Sequence, residues 1–351
     1  MLALVIQTAF AGDVILTTPL FDALHVHVGA EIDVVCIPGT AELLRGHPAL
    51  RRVIPYNKHG GDSLFSLGRQ LNHGGYDVCL SPHRSLRSAL LARMSSARIR
   101  ISYDRSAGRM LYTHTVAYDP TAHEVERCLD LLGPLQVDGR AVGSGPSLHP
   151  SDDDHVTAQR LLEPIGRRMP YICIAPGSVW VTKRWTEEGF IAVGTSMAQD
   201  HAIVLMGGGG DRELCARIAA GIRAEAGPDA RILSLAGDLS FLASAAVLER
   251  AVALISNDSA PVHLASAMGT PVIEIFGATI PSFGFTPYGV PHETVDIGEL
   301  PCRPCGIHGG SRCPIDTFVC MRELPPERIV DATRRIVMRA AASAPQSETG
   351  K

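Results

Sequence analysis

No run of apolar residues in this 351-residue chain is long enough to cross a membrane as a helix. The N-terminus lacks the basic region and small-residue cleavage site of a secretory signal, so a cytoplasmic protein is expected. An excess of positive charge is missing too. Lys and Arg number 32 against 36 Asp and Glu, a net charge of −4, which gives no general attraction to nucleic acid. There is no internal repeat beyond a βα rhythm and no low-complexity tract. No GxGxxG fingerprint follows the first strand of either half of the chain, which argues against a nucleotide-dependent oxidoreductase.

What is present fits a globular protein with a substantial core. Hydrophobic residues make up 46% and charged residues 19%. The length suggests two domains. Residues 2–6, 32–37, 78–80 and 99–102 read as strands, and 14–27 and 85–94 as helices. The strands show no polar alternation, as in a parallel sheet covered on both faces. "VDGRAVGSGPSLHPSDDDH" carries a linker signal, and the βα pattern restarts after it with "YICIAP", "HAIVLMGGGGDRELCARIAAGI", "RILSLAG", "AVALISND" and "TPVIEIFG". The expectation is an α/β protein of two Rossmann-like halves, residues 1–150 and 151–351. Ligands would sit beyond the carboxyl ends of the strands, in a central cleft that the two domains face. "PPERIVDATRRIVMRAA" reads as a helix able to pack on either domain, and "SAPQSETGK" as a polar, frayed tail.

Candidate site residues fall where strands hand over to helices. Asp13, after Gly12 in "AGDVILTTPLFDAL", is either a helix cap or a chemical group. In "LISNDSAPVHLASAMG" a helix begins near Ser259, and its first-turn amides would suit a phosphate or pyrophosphate. Ser259 and Ala260 are small enough for close approach, and Asp258 could accept sugar hydroxyls. His263 lies one turn further on; equally, Asp258 or Ser259 is a plain cap and His263 a surface residue. Lys183, in the loop of "APGSVWVTKRWTEEGF", suits a diphosphate as a compact charge or is a solvated loop lysine. Trp180 and Trp185 are expected to pack that loop. In "GGGGDRE", which has no Walker lysine, Asp211 is a cap, a hydroxyl acceptor, or both.

Arg84, Arg87, Arg93, Arg98, Arg100, Arg105 and Arg109 occur with only Asp104 against them and no lysine between. They read either as a site for an anionic acceptor or membrane surface, or as a solvated helix face. Cys302, Cys305, Cys313 and Cys320 form C-x2-C-x7-C-x6-C. Such thiols are candidate ligands for a structural zinc or iron, with reduced packed cysteines as the alternative. The other five cysteines are expected to be reduced core residues.

Taken together, "LVIQTAFAGDVILTTPLFDAL", "PGSVWVTKRWTEEGF" and "SNDSAPVHLASAMGTPVIEIFG" resemble the three signature regions of the ADP-heptose:lipopolysaccharide heptosyltransferases, glycosyltransferase family 9. "GFTPYG" and the "CRPC…CP…CM" tail look like its heptosyltransferase II types in particular. The resemblance runs from Leu4 to Met321. It implies the GT-B fold and an inverting, metal-independent transfer of heptose from ADP-heptose to the inner core of lipopolysaccharide. The N-terminal domain would take the acceptor and the C-terminal domain the nucleotide sugar.

By position, the resemblance makes Asp13 the general base and Lys183 the diphosphate lysine, with Ser178 near the phosphates. It places Asp258, Ser259, Ala260 and His263 on the donor, Asp211 on the donor sugar or ribose, and Leu239 on the adenine. Two departures stand out: Ala260 where the family more usually has Gly, and "GATIPSFG" for G-P-T-D-P. The partners implied are ADP-heptose and an anionic lipopolysaccharide-core acceptor, with the enzyme at the cytoplasmic face of the inner membrane. A protein-directed heptosyltransferase, another nucleotide-sugar donor and a non-catalytic sugar-nucleotide binder are the rival readings.

Overall fold

A computed structural model describes residues 1–58, 60–166 and 169–343. Residues 344–351 of the expected polar tail lie outside them. Two six-stranded sheets carry the structure. The first contains β1 (Leu2–Ile6), β2 (Glu31–Cys36), β3 (Leu50–Pro55), β4 (Val78–Leu80), β5 (Ile99–Tyr103) and β6 (His114–Val116), in the order β3-β2-β1-β4-β5-β6. The second contains β7 (Tyr171–Ala175), β8 (Ala202–Leu205), β9 (Ile232–Ser234), β10 (Ala253–Asn257), β11 (Val272–Ile275) and β12 (His292–Val295), in the order β12-β11-β10-β7-β8-β9. Every neighbouring pair is parallel.

Counted within each half, both orders are 3-2-1-4-5-6. The order therefore reverses at two places, between β1 and β4 and between β7 and β10. In open α/β sheets a reversal leaves a crevice at the carboxyl ends of the two strands, where ligands bind.

The helices that matter for the site are α1 (Ala11–Leu16), α2 (Thr18–Val28), α3 (Leu86–Met94), α4 (Glu124–Asp130), α5 (Glu187–Met197), α6 (Arg212–Ala226), α7 (Phe241–Glu249), α8 (Ala260–Ala267) and α9 (Pro326–Ser343). The central strands are buried on both faces, as their unbroken apolar runs require; Leu4, Ile6, Ile174 and Ile255 expose nothing. Each such side chain contributes about 1.5–3 kcal/mol by leaving water. Helix α9 lays Ile329 and Ile336 on the core of the second sheet, which settles where the terminal helix packs.

Two compact units result: Met1–Ser151 with Ser282–Tyr288, and Asp152–Pro281 with the chain from Gly289 onward. The segment Ser282–Tyr288, which holds most of "GFTPYG", thus belongs to the first unit rather than to the C-terminal half around it. The Gly-rich stretch read as a linker is largely built in. It contains a helix at Gly139–Val142, and the Ser147 amide donates to the Thr18 hydroxyl at 2.9 Å.

The helix expected over 14–27 is two helices. Pro19 lies in the first turn of α2, so α1 stops at Leu16, and the Thr17 hydroxyl donates to the Asp13 carbonyl at 2.7 Å. Strands β3, β6 and β12 are not legible in the sequence because they are polar or short. In β3, Arg51 and Arg52 each reach the buried Asp33 carboxylate of β2 at 2.8 Å.

Candidate active site

The first reversal is furnished by the loops after β1 and β4. Asp13 is the third residue of α1, not its cap, and its Oδ2 accepts the Phe10 amide at 3.2 Å. That bond pins the carboxylate across the mouth of the helix, with both Asp13 and Gly12 half-buried. The loop before it is gripped from two sides. Lys58 Nζ donates to the Thr8 carbonyl at 2.8 Å, and Thr8 Oγ1 meets His83 Nδ1 at 2.9 Å. Burial first, then Lys58 and Arg84, push the His83 imidazole down to about 4, so it is neutral at physiological pH.

The seven arginines differ in their surroundings. Arg93, Arg98, Arg105 and Arg109 are exposed, and Arg100 donates to the carbonyls of Ala97 and Leu111. Arg84 lies 4.0 Å over the Tyr118 ring. Lys58, whose ammonium is destabilised by burial and then by Arg87, joins Arg84 and Arg87 at this sheet end. The sequence reading left out Lys58 and His83 because each is an isolated polar residue in a loop.

The second reversal is furnished by the loops after β7 and β10. Here Lys183 is no solvated loop lysine: its ammonium lies 2.7 Å from Asp258 Oδ2, and the two side chains are only 12% and 10% exposed. The Thr279 hydroxyl donates to the same oxygen at 2.5 Å. Thr186 caps α5 by accepting the Gly189 amide at 3.0 Å, and so fixes the end of the lysine loop. Buried Asn257 ties that loop to β10, accepting the Trp185 amide at 3.0 Å and donating to the Pro176 carbonyl at 2.8 Å. Trp185 packs edge-on against Phe190, the packing role expected of it. From the other side, Gly310 exchanges hydrogen bonds with Thr182, so the cysteine-rich segment braces the residue before Lys183.

Ser259 stands at the N-cap position of α8 but does not cap it. Its hydroxyl donates to the Asn257 carbonyl at 3.2 Å and toward that of Gly177 at 3.4 Å. The helix mouth is therefore not closed by its own cap side chain, which suits an anion. Ala260 is half-buried and His263 buried, so His263 is not the surface residue that one reading allowed.

Asp211 sits in a slot made by two glycines. A Cβ on Gly177 would fall 2.4 Å from its Oδ1, and one on Gly207 would fall 2.7 Å from its Cβ. Its Oδ2 accepts the Gly208 amide at 2.9 Å, the same i to i−3 arrangement as at Asp13. Ser178 is buried and gives its carbonyl to Arg184 Nε at 2.7 Å. Leu239 is half-buried in the turn before α7.

Below the Lys183–Asp258 pair lies Glu274 of β11, fully buried, with no hydrogen-bond partner for either carboxylate oxygen among the described residues. Burial first, and then Asp258, hold its pKa well above the ordinary carboxyl range, against the pull of Lys183. A folded-state pKa above the unfolded value means stability that is present below pH 4.5 and lost as pH rises toward the folded value. Replacing Glu274 with Met is expected to stabilise the protein by about 1–3 kcal/mol near neutrality, with a smaller gain at pH 5 than at pH 8. Denaturant midpoints at the two pH values check this; an equal gain at both would contradict it.

All nine cysteines are reduced. The Cys305 thiol donates to the Cys302 carbonyl at 3.3 Å, and Cys320 is buried. Burial alone would raise the Cys313 thiol, but the amides of Phe318, Ile315, Thr317 and Asp316 hold it below its ordinary value. Among the described residues no three Cys, His, Asp or Glu side chains gather as a metal requires. The four thiols nonetheless lie within electrostatic reach of one another, Cys302 and Cys313 acting on Cys305 and all three on Cys320.

Comparison with known proteins fits this picture. A family model described as glycosyltransferase family 9 (heptosyltransferase) matches residues 64–309. Lipopolysaccharide heptosyltransferase 3 of Escherichia coli is 30% identical over 285 residues, 77% of this chain and 82% of its own. Lipopolysaccharide heptosyltransferase 1 of Pseudomonas aeruginosa is 30% identical over 325 residues, 87% of this chain and 86% of its own. Among solved structures, the glycosyl transferase family 9 protein of Veillonella parvula superposes with a TM-score of 0.84 at 21% identity, over 96% of this chain and 97% of that one. The E. coli ADP-heptose lipopolysaccharide heptosyltransferase II does so with a TM-score of 0.77 at 20% identity, over 97% and 100%. The fold is the two-domain α/β arrangement of these enzymes, GT-B. With 70% of its length inside the family model and relatives at 30% identity across most of it, the chain belongs to glycosyltransferase family 9, the heptosyltransferases.

Proposed function

We propose that this chain transfers heptose from ADP-heptose to an anionic acceptor in the inner core of lipopolysaccharide, with inversion at the anomeric carbon. The observation that carries this reading is the second sheet's reversal, where the Lys183 ammonium is anchored beside the uncapped mouth of α8. A lysine has three N–H donors, so Asp258 can hold it in place while it still donates to a diphosphate. Asp13 takes the proton of the acceptor hydroxyl as that oxygen bonds to the anomeric carbon. The bond to the diphosphate breaks on the opposite face and ADP leaves. Lys183 and the α8 amides offset the charge that grows on the departing phosphate, so the reaction as proposed needs no divalent ion.

In this reading Asp211 accepts a hydroxyl of the ribose or sugar, and Leu239 lines the adenine. Ser178, Ser259, Ala260 and His263 complete the donor site. Arg84, Arg87 and Lys58 take phosphate or carboxylate groups of the acceptor, which would hold the enzyme at the cytoplasmic face of the inner membrane. The test is transfer with purified protein, ADP-heptose and a defined core acceptor. A product heavier by one heptose, formed in step with ADP, is expected; ADP without such a product would sink the proposal.

The glycine slot gives a sharper expectation. Gly177→Ala forces the Asp211 carboxylate aside. The KM for the donor should rise by about tenfold, the size expected for one lost hydrogen bond to a charged group, and the thermal midpoint should fall as the Gly208 amide loses its Asp211 partner. An unchanged KM would remove Asp211 from the donor site.

A further inference from the structure

Asp13 has a second carboxylate beside it, and the sequence reading left it out. Glu124 opens α4 and is 8% exposed. Two contacts fix its position relative to Asp13. The Thr17 hydroxyl, one turn after Asp13, lies 3.8 Å from the Cys128 sulfur, one turn after Glu124. Asp13 in turn lies within electrostatic reach of both Glu124 and Cys128. The two helix starts thus lie side by side, and each presents one carboxylate.

Glu124 is held firmly. Arg127 Nε donates to its Oε2 at 2.8 Å. The same guanidinium donates to the Phe283 carbonyl at 3.0 Å, and the Glu124 amide donates to the Gly284 carbonyl at 2.8 Å. The segment Ser282–Tyr288 therefore clamps the start of α4. The ionisable groups facing Glu124 are Asp13 from α1, Arg127 and Cys128 from α4, Arg84 from the loop after β4, and Tyr103 from β5.

We propose that Glu124, clamped by Arg127, is a positioning residue that sets the basicity of Asp13. The proposal rests on the reading of Asp13 as the general base. The reason one is needed lies in Asp13's own surroundings. An amide hydrogen bond and the positive end of a helix each favour the ionised form of a carboxylate in general, and the Phe10 amide donates such a bond to Asp13 at the start of α1. A second negative charge close by works in the opposite direction, since it favours the protonated form of Asp13. Glu124 supplies that charge only when ionised. Burial first, offset by Arg127 and reinforced by Asp13, brings its pKa up to about 7. As pH rises through neutrality Glu124 ionises, Asp13 becomes a stronger base, and the chemical step accelerates.

The test is the pH dependence of the single-turnover transfer rate in the full-length enzyme. The wild type should show a rise of about three- to tenfold centred near pH 7. Glu124→Gln keeps an acceptor for Arg127 but has no charge to gain. Its rate should stay at the wild type's low-pH level, with no step and with ADP affinity unchanged. Glu124→Asp keeps the charge and should retain a step, and it serves as the readout if the Gln variant does not fold. A step that survives in Glu124→Gln, or a wild type without one, overturns the proposal. If Asp13→Asn still turns over, the base reading itself has failed; if Asp13→Asn is dead and Glu124→Gln keeps the step, only the Glu124 proposal falls.

Discussion

Asp13→Asn is expected to cut turnover by about 10²–10⁴-fold while ADP affinity stays within about twofold. The choice of Asn separates the two roles the carboxylate has. An Asn side chain still accepts the Phe10 amide, so the start of α1 keeps its bond. What is lost is the negative charge and the ability to carry a proton. Asp13→Ala loses both, and should add about 0.5–2 kcal/mol of destabilisation to the same loss of turnover. The pair is read by steady-state rates alongside thermal midpoints and ADP titration. An Asn variant that turns over near the wild-type rate would leave Asp13 with its hydrogen bond to the Phe10 amide as its only role. Loss of ADP binding in that variant would mean a carboxylate on the first unit was holding the donor.

The arrangement around Asp13 shows how far the sequence could be read. The apolar runs of the buried strands are unambiguous because both sheet faces are covered, so Leu2–Ile6 and Ala253–Asn257 declare themselves. The handover points after them were legible too, since strand, small residue and helix follow one another within a few positions. Edge strands were not: β3 spends Arg51 and Arg52 on a buried Asp33, which breaks its apolar run.

The same limit applies to the site. Asp13, Lys183 and Asp258 stand in recognisable segments. Their partners come from distant parts of the chain. Glu124 lies 111 residues from Asp13, and Thr279 and Glu274 sit on or after β11 with nothing local to mark them.

The second large effect concerns the Lys183–Asp258 pair, where stability and binding can be separated. Lys183→Met leaves the Asp258 carboxylate buried with, among the described residues, the Thr279 hydroxyl as its remaining side-chain hydrogen-bond partner. Breaking a buried pair from one side costs about 3–5 kcal/mol, because the desolvated charge that remains is uncompensated. The same substitution removes the positive charge assigned to the diphosphate, so ADP affinity should fall by about 10–100-fold. Adding Asp258→Asn removes the stranded charge. The double variant Lys183→Met/Asp258→Asn should therefore recover most of the lost stability and none of the lost affinity. Denaturation midpoints and ADP titrations on both variants decide it. Recovery of both together would mean that Lys183 acts only by holding Asp258. Recovery of neither would mean that the fold around β10, rather than the ion pair, had been damaged. The expected split follows from geometry: one ammonium faces a carboxylate that belongs to the fold and has donors left for a phosphate that does not.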